Sequence, residues 1–419
     1  MNILHRFYNV LWRIAPPIIR FYLRRRARKN PAYLLHQDER FGVPQKNVVQ
    51  GVLWLHAVSV GETRAAVPII RILQQRFPDL PLLITQMTPT GRETAQNVFP
   101  NAQCRYLPYD RPDFVAQFLD EHRPLIGIFM ETEIWINLLA ACDKRHIPII
   151  LANARLSAKS AAGYQRFHKL FQAAFNSFSA VLAQSEQDAQ RFKNLGLSKV
   201  YVCGNSKYDI SPDEKSSAIA DDFRRKIGGR KIFVCASTRE KDGIDEADLL
   251  LQAWRKYGDK NILLVIIPRH PERFQAAFDI AQKYGFCVKK RSNNEKISAY
   301  DEVWIGDSMG ELSAYYCIAD VAFVGGSLVD TGCQNIIEPI ACNVPVLFGF
   351  STYNFQQACA DALQAKVAIQ VQNADECVHT ALRLINNADI ISSDTQNFMR
   401  RHQGAAQRMA EYISGCLKV

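Results

Sequence analysis

Residues 303–339 read apolar run, loop, helix, apolar run, loop, helix, and that repeated unit limits the fold more than any other feature of the chain. Val303-Trp304-Ile305 runs into Gly306-Asp307-Ser308-Met309-Gly310-Glu311-Leu312. Val321-Ala322-Phe323-Val324 runs into Gly325-Gly326-Ser327 and then into residues 332–339. Short apolar runs followed by helices are what a parallel sheet buried on both faces requires. Glycines between strand end and helix start let backbone N–H groups and the positive helix end converge, which suits a phosphate. Asn335 and Glu338 add an amide and a carboxylate at one loop-to-helix junction, a suitable pair for ribose hydroxyls and a base edge. Glycine turns plus a first-turn Glu stabilised by the dipole account for either segment alone. Two such segments in succession favour a nucleotide.

The same alternation fills most of the chain. Apolar runs at 52–56, 82–85, 104–107, 125–130, 147–152 and 180–183 each lead into a polar loop and a helical pattern, and a second set follows at 232–235, 262–267, 287–289, 303–305, 321–324, 344–347 and 368–371. This is an α/β chain with two doubly wound, Rossmann-like sheets. At 419 residues it exceeds one ordinary core, so two domains facing a cleft are expected. The alternation pauses near Val202-Cys203-Gly204, and 211–217 reads as a linker. Four segments result: 1–30, 31–210, 211–390 and 391–419, the last a helix packing back on the first domain. In such sheets functional residues gather in loops at the carboxyl ends of the strands. In the first half those loops hold Ser59, Gly61 and Glu62; Thr88-Pro89-Thr90-Gly91-Arg92; Asp110; Glu131-Thr132-Glu133; and Asn153, Arg155 and Ser157. Neither half carries the glycine fingerprint of dinucleotide enzymes or the phosphate loop of ATPases, which removes support from both classes.

A net charge of +10 calls for an anionic partner: nucleic acid, an acidic lipid surface or a phosphorylated substrate. The first thirty residues point to lipid. Aromatic and aliphatic residues are interrupted by Arg6, Arg13 and Arg20 at seven-residue intervals, and Arg24-Arg25-Arg26-Ala27-Arg28-Lys29 follows. That is too charged for a spanning helix and suits one lying in the bilayer interface, held by anionic lipids. A basic arm packing on the protein or binding nucleic acid is the competing reading. Eleven cysteines without a Cys-x-x-Cys pair, many inside apolar runs, read as reduced thiols with neither disulfides nor a zinc site.

Several motifs together carry a resemblance. His56-Ala57-Val58-Ser59-Val60-Gly61-Glu62, Thr88-Pro89-Thr90-Gly91-Arg92, Met130-Glu131-Thr132-Glu133-Ile134-Trp135, Asn153-Ala154-Arg155-Leu156-Ser157, Gly204-Asn205-Ser206-Lys207, Pro268-Arg269-His270, Gly306-Asp307-Ser308-Met309-Gly310-Glu311 and Asn335-Ile336-Ile337-Glu338-Pro339 run in order over nearly the whole chain. Together they resemble the 3-deoxy-D-manno-octulosonic acid (Kdo) transferases of lipopolysaccharide synthesis. The chain departs from that pattern at Ile136, at Gln334 and at Ser237-Thr238-Arg239-Glu240. The resemblance implies a GT-B fold, an N-terminal acceptor domain, a C-terminal CMP-Kdo domain and a place on the cytoplasmic face of the inner membrane. It implies CMP-Kdo as donor and a lipid A precursor as acceptor, with no nucleic acid partner.

Transfer of Kdo to a sugar hydroxyl needs a base, donors for the departing phosphate and a dry cleft. Glu62 is the expected base, although a first-turn Glu is expected to have a depressed pKa that desolvation must offset. The resemblance implies a transition-state role for Glu131 and Lys207. Pro268, Arg269, Met309, Gly310, Glu311, Asn335, Ile336, Ile337 and Glu338 are expected to hold CMP, with Ile336 and Ile337 acting through backbone. Ser59, Arg64, Arg92, Asn153 and Arg155 are the acceptor-side candidates, Lys207 and Arg269 are expected to supply positive charge at the departing phosphate, and Glu131 is open between steering the acceptor, stabilising cationic character at the anomeric carbon and pairing with Arg92 or Arg155. A single inverting displacement without metal or other cofactor follows. A UDP-sugar transferase or epimerase of the same fold, and a non-catalytic binder of anionic lipid, are the alternatives.

Overall fold

The computed structural model describes residues 3–28, 30–209, 214–387 and 392–417. The chain forms two compact units, Met1–Asp209 with His402–Val419, and Ile210–Arg401.

The first unit is built on seven strands: β1 (Leu53–His56), β2 (Leu82–Gln86), β3 (Gln103–Tyr106), β4 (Ile126–Met130), β5 (Ile149–Ala154), β6 (Ala180–Ala183) and β7 (Val200–Val202). All pair in parallel in the order β3-β2-β1-β4-β5-β6-β7, with Leu53 opposite both Leu82 and Ile126. Alternate residues feed two cores. Val52 and Trp54 face one side with Phe118, Phe129 and Leu139; Leu53 and Leu55 face the other with Ile69, Ile128 and Met409. β7 was not expected, because Tyr201 and Val202 are exposed at the sheet edge and carry no buried pattern. The expected C-terminal helix is two helices, Ser392–His402 and Ala405–Cys416, separated at Gly404, whose φ is +86°. The second packs Ala406, Met409, Ala410 and Ile413 into the core beside the helix Val60–Arg76, and the Asp209 carboxylate accepts from the N–H of Gly404 and, at 2.6 Å, of Ala406.

The helix Ile3–Ala27 lies on this unit through one face. Tyr8 donates to Asp110 at 2.7 Å, His5 Nε2 meets Asn137 Oδ1 at 2.8 Å, Trp12 stacks on Tyr109, and Leu23 packs with Phe41 and Phe114. Among the described residues no helix is long and apolar enough to cross a membrane.

The second unit contains β8 (Lys231–Thr238), a short antiparallel hairpin of β9 (Glu240–Lys241) and β10 (Ile244–Asp245), β11 (Ile262–Pro268), β12 (Val288–Lys290), β13 (Val303–Ile305), β14 (Val321–Val324), β15 (Val346–Phe348) and β16 (Ala368–Gln370). Its seven-stranded sheet is parallel in the order β12-β13-β11-β8-β14-β15-β16. Of the expected linker, Ser211, Pro212 and Asp213 lie outside the described residues. Residues 214–217 form the first turn of the helix Glu214–Ile227 instead.

One expectation for this unit is corrected. The N–H groups around Gly325-Gly326-Ser327 are not open to a phosphate. The fully buried Glu246 carboxylate accepts from Gly326 (2.6 Å), Ser327 (2.9 Å), Leu328 (2.8 Å) and Arg239 (2.8 Å). Burial pushes the Glu246 carboxyl up, and the four N–H groups oppose that by matching its charge. The glycines serve packing: a Cβ on Gly325 would sit 2.5 Å from the Ser237 carbonyl oxygen. Glu246→Ala leaves four buried donors unpaired and is expected to destabilise the protein by about 3 kcal/mol or more. Hydrogen exchange would show faster exchange first at Gly326, Ser327 and Leu328.

Candidate active site

At the carboxyl end of β1 the chain turns through Ala57 and Val58 into the helix Val60–Arg76, capped by Ser59, whose Oγ accepts from the Glu62 N–H. Glu62 folds back over this turn. Its Oε2 accepts from the Val58 N–H at 2.7 Å and its Oε1 from the Ser59 hydroxyl at 3.1 Å, a reciprocal capping arrangement. The expected depressed pKa is corrected here. Burial, then the Glu131 charge, and in lesser part the Glu133 charge, raise the Glu62 carboxyl to about 7; the Val58 N–H and His56 pull the other way without prevailing.

Glu131 follows β4 with φ +56°, a left-handed conformation uncommon for a glutamate. It is buried and bound by two cations: Lys207 Nζ at 2.7 Å from Oε1 and Arg155 Nε at 2.8 Å from Oε2. Burial alone would raise its carboxyl, but Lys207 and Arg155 outweigh it and hold the group below the ordinary range. Lys207 sits in the single turn Ser206–Asp209, which is tied down at both ends of Ser206. The Ser206 N–H donates to Asn153 Oδ1 at 3.0 Å and its hydroxyl to the Ala65 carbonyl at 2.8 Å.

The acceptor-side candidates divide. Ser59 caps, and Arg64 is exposed on the helix behind it. Arg155 pairs with Glu131, one of the alternatives left open for that carboxylate. Asn153 is fully buried, its Oδ1 occupied by Ser206, so it is a scaffold for Lys207 rather than a surface for substrate. Arg92 is also corrected: its guanidinium is buried, bound to Glu39 through both terminal nitrogens and packed over the Tyr106 ring, and it pairs with neither Glu131 nor solvent. Glu39 further accepts from Arg105 and from the Tyr106 N–H.

His56 belongs to this cluster although the loop reading did not select it. His56 closes β1 with its ring fully buried, Nε2 3.6 Å from Glu133 Oε2, while Trp135 Nε1 donates to the same oxygen at 2.8 Å. The available signal was an imidazole ending an otherwise apolar strand directly before Ser59 and Glu62.

In the second unit, Pro268 ends β11 at a register shift and Arg269 is half-buried, its N–H bonded to the Thr238 carbonyl. Met309 is 60% exposed, and Gly310 takes φ +81° with open space around its α-carbon. The Glu311 carboxylate is held by Arg291 through two bonds of 3.1 and 3.0 Å and by the Ser308 hydroxyl, so a ligand would meet this loop through backbone and Met309 rather than through that side chain. Asn335 and Glu338 stand together: Asn335 Oδ1 accepts from the Ile337 N–H and its Nδ2 donates to Glu338 Oε1, both at 3.1 Å. Ile336 and Ile337 are fully buried, and the Ile337 N–H is taken by Asn335.

Two parallel-sheet Rossmann-like units, with ionisable groups at the carboxyl ends of the strands, define a GT-B-like α/β protein. Solved structures share that architecture. A UDP-GlcNAc 2-epimerase from Neisseria meningitidis aligns with TM-score 0.58 over 87% of this chain and 99% of its own at 13% identity, and a glycosyltransferase from Rickettsia africae with TM-score 0.57 over 88% and 99% at 12% identity. At such identity the likeness concerns fold alone. The family described as 3-deoxy-D-manno-octulosonic-acid transferase (kdotransferase) matches residues 36–210. Over the full length, the 3-deoxy-D-manno-octulosonic acid transferases of Haemophilus influenzae and Bordetella pertussis are each 34% identical across 98% of this chain and 98% and 99% of their own. The chain belongs to the 3-deoxy-D-manno-octulosonic acid transferase family. It is therefore a glycosyltransferase, which sets aside the non-catalytic lipid binder.

The raised Glu62 carboxyl has a consequence for stability. Between the ordinary carboxylate range and about 7 the native protein binds a proton at Glu62 that the unfolded chain does not, so this group costs stability as pH rises through that window. Glu62→Gln keeps an acceptor for the turn and removes the charge. Thermal unfolding is expected to find the variant within about 1 kcal/mol of wild type at pH 5 and more stable by about 2–3 kcal/mol at pH 8.5.

Proposed function

We propose that the protein transfers Kdo from CMP-Kdo to a lipid A precursor, lipid IVA, with inversion and with Glu62 as general base. The observation that carries this is the Glu62 carboxyl itself, raised to about 7 at the end of β1 beside an ion-paired Glu131. A base whose pKa lies near the working pH is half-ionised and still strong enough to take a hydroxyl proton. The acceptor oxygen bonds to the anomeric carbon of Kdo as the bond from that carbon to the CMP phosphate oxygen breaks. The hydroxyl proton passes to Glu62 and the bonding electrons leave with CMP. Glu131, kept ionised by Lys207 and Arg155, stabilises positive charge developing at the anomeric carbon.

Residues 31–210 are assigned to the acceptor and 211–390 to the donor. Pro268, Arg269, the backbone of Met309-Gly310-Glu311, and Asn335 to Glu338 form the CMP site, with Glu338 accepting from ribose hydroxyls and Arg269 meeting the phosphate. Neither the base nor the phosphate contacts require a metal.

The helix Ile3–Ala27 places the enzyme on anionic lipid of the inner membrane's cytoplasmic face. Opposite its docked side, Phe7, Val10, Leu11, Ile14, Ile18, Phe21 and Tyr22 are exposed at helical spacing, Ile18 and Phe21 by 68% and 69%, and Arg24, Arg25 and Arg26 follow. An acyl-chain-bearing acceptor stays in the bilayer while its headgroup reaches the site.

Two measurements test this reading. Purified protein with CMP-Kdo generated in situ, a tetra-acylated lipid A precursor and chelator is expected to yield product heavier by one or more Kdo units. Glu62→Gln should slow that transfer about 10²–10⁴-fold. Transfer at wild-type rate by Glu62→Gln would falsify the base, and CMP binding without product would overturn the acceptor. Separately, Ile14→Asp with Phe21→Asp is expected to weaken co-sedimentation with phosphatidylglycerol vesicles at least tenfold; unchanged sedimentation would reject the interfacial helix.

A further inference from the structure

His56 Nδ1 lies 3.1 Å from the Thr85 carbonyl oxygen, which can only accept, and 2.9 Å from Thr85 Oγ1, which already takes the Trp54 Nε1–H at 2.8 Å. The hydrogen on Nδ1 therefore points at Thr85. That leaves Nε2 facing Glu133 Oε2 at 3.6 Å, with no hydrogen-bond partner of its own among the described residues. A bare lone pair against an ionised carboxylate repels; a proton on Nε2 turns the same geometry into attraction. The rings of Phe129 and Trp135 pack on the imidazole, at centroid distances of 5.3 and 6.5 Å, and shield it fully, while the Glu133 side chain keeps 22% exposure.

We propose that His56 is a positioning residue for the transfer reaction: its imidazole is the counter-ion of Glu133 and, through that pair, sets how much negative charge the Glu62 carboxylate faces. The inference rests on Glu62 being the base. Glu62 is faced by Glu131 from the end of β4, by Glu133 from the loop beyond it and by His56 from the end of β1. Those two carboxylates are neutralised differently. Glu131 has two cations, Lys207 and Arg155, whereas Glu133 faces one imidazole nitrogen. The negative charge around the base is then balanced in part through the His56–Glu133 pair.

The test is the pH profile of kcat for Kdo transfer, whose acid limb reports the base. In His56→Gln the Glu133 charge is unopposed and the limb is expected to move to higher pH by about 0.5–1 unit. In Glu133→Gln a repelling charge is gone and the limb is expected to move to lower pH. Opposite movements by two residues in contact are not produced by loss of packing, which would lower both rates without displacing the limbs oppositely. Limbs that stay put, or move in one direction in both variants, overturn the inference. A second readout needs no catalysis: the ring resonances of His56, followed by NMR, should titrate at lower pH in Glu133→Gln than in wild type. An unmoved titration rejects the pair even where Glu62 stands as the base. A Glu62→Gln enzyme that keeps both rate and acid limb would instead remove the base reading on its own.

Discussion

Three carboxylates crowd the carboxyl edge of β1 and β4, and the surrounding structure depends on how their charge is neutralised. Glu131 is stabilised by ion pairs with Lys207 and Arg155, but reaching them takes a left-handed backbone at Glu131 and another at Asn153, whose φ is +49°. Such conformations cost on the order of 1–3 kcal/mol each and persist only where neighbours enforce them. The neighbours here are specific. Asn153 Oδ1 takes the Ser206 N–H, and the Ser206 hydroxyl bonds to Ala65 on the helix that Glu62 begins. Glu62, the paired carboxylate and the lysine are thus placed by one continuous set of hydrogen bonds running from β5 to the helix Val60–Arg76.

The same crowding decides a contest that local rules misjudge. A helix N-terminus stabilises a carboxylate by roughly 0.3–1 kcal/mol. Moving Glu62 from 4.5 to about 7 corresponds to about 3 kcal/mol against the charged form, so burial and two like charges outweigh the dipole and the Val58 N–H together. Capping and catalysis are not rivals at this position. The hydrogen bonds that cap the turn also fix the carboxylate where those charges act on it.

Sequence reading reached the architecture because strands buried on both faces are written as unbroken apolar runs, as in Ile262–Pro268, and because helices follow each of them. It missed β7, where Tyr201 and Val202 are exposed, and the β9–β10 hairpin, whose two strands have two residues each and are mostly polar. Within the sites, Glu131 and Arg155 stand in loops at strand ends and Lys207 in a turn that a motif marked, and the three do meet. Residue type and loop position did not reveal which partner a charge has. Arg92 looked available in a loop and is claimed by Glu39, 53 positions earlier. The glycine loop after β14 looked like an anion cradle and is one, but its anion is Glu246 of the chain itself. Long-range pairing of this kind has no local pattern, so composition and spacing cannot show it.

The N-terminal helix follows a similar logic on the protein surface. A helix attached by its aliphatic stripe would bury that stripe. This one is attached by Tyr8 on Asp110, His5 on Asn137 and the Trp12–Tyr109 stack, with Leu23 as its buried aliphatic anchor near the far end. Its aliphatic and aromatic stripe from Phe7 to Tyr22 is thereby left outward. The contact with the protein is not weak for being polar: the Asp110 carboxylate is buried and accepts from Tyr8 and from the Asn137 and Leu138 N–H groups, so withdrawing the helix would strip one bond from a buried anion. Burial raises that carboxyl to about 6 even with those bonds in place. The protein thus secures the helix with hydrogen bonds and aromatic rings and leaves its hydrophobic face exposed.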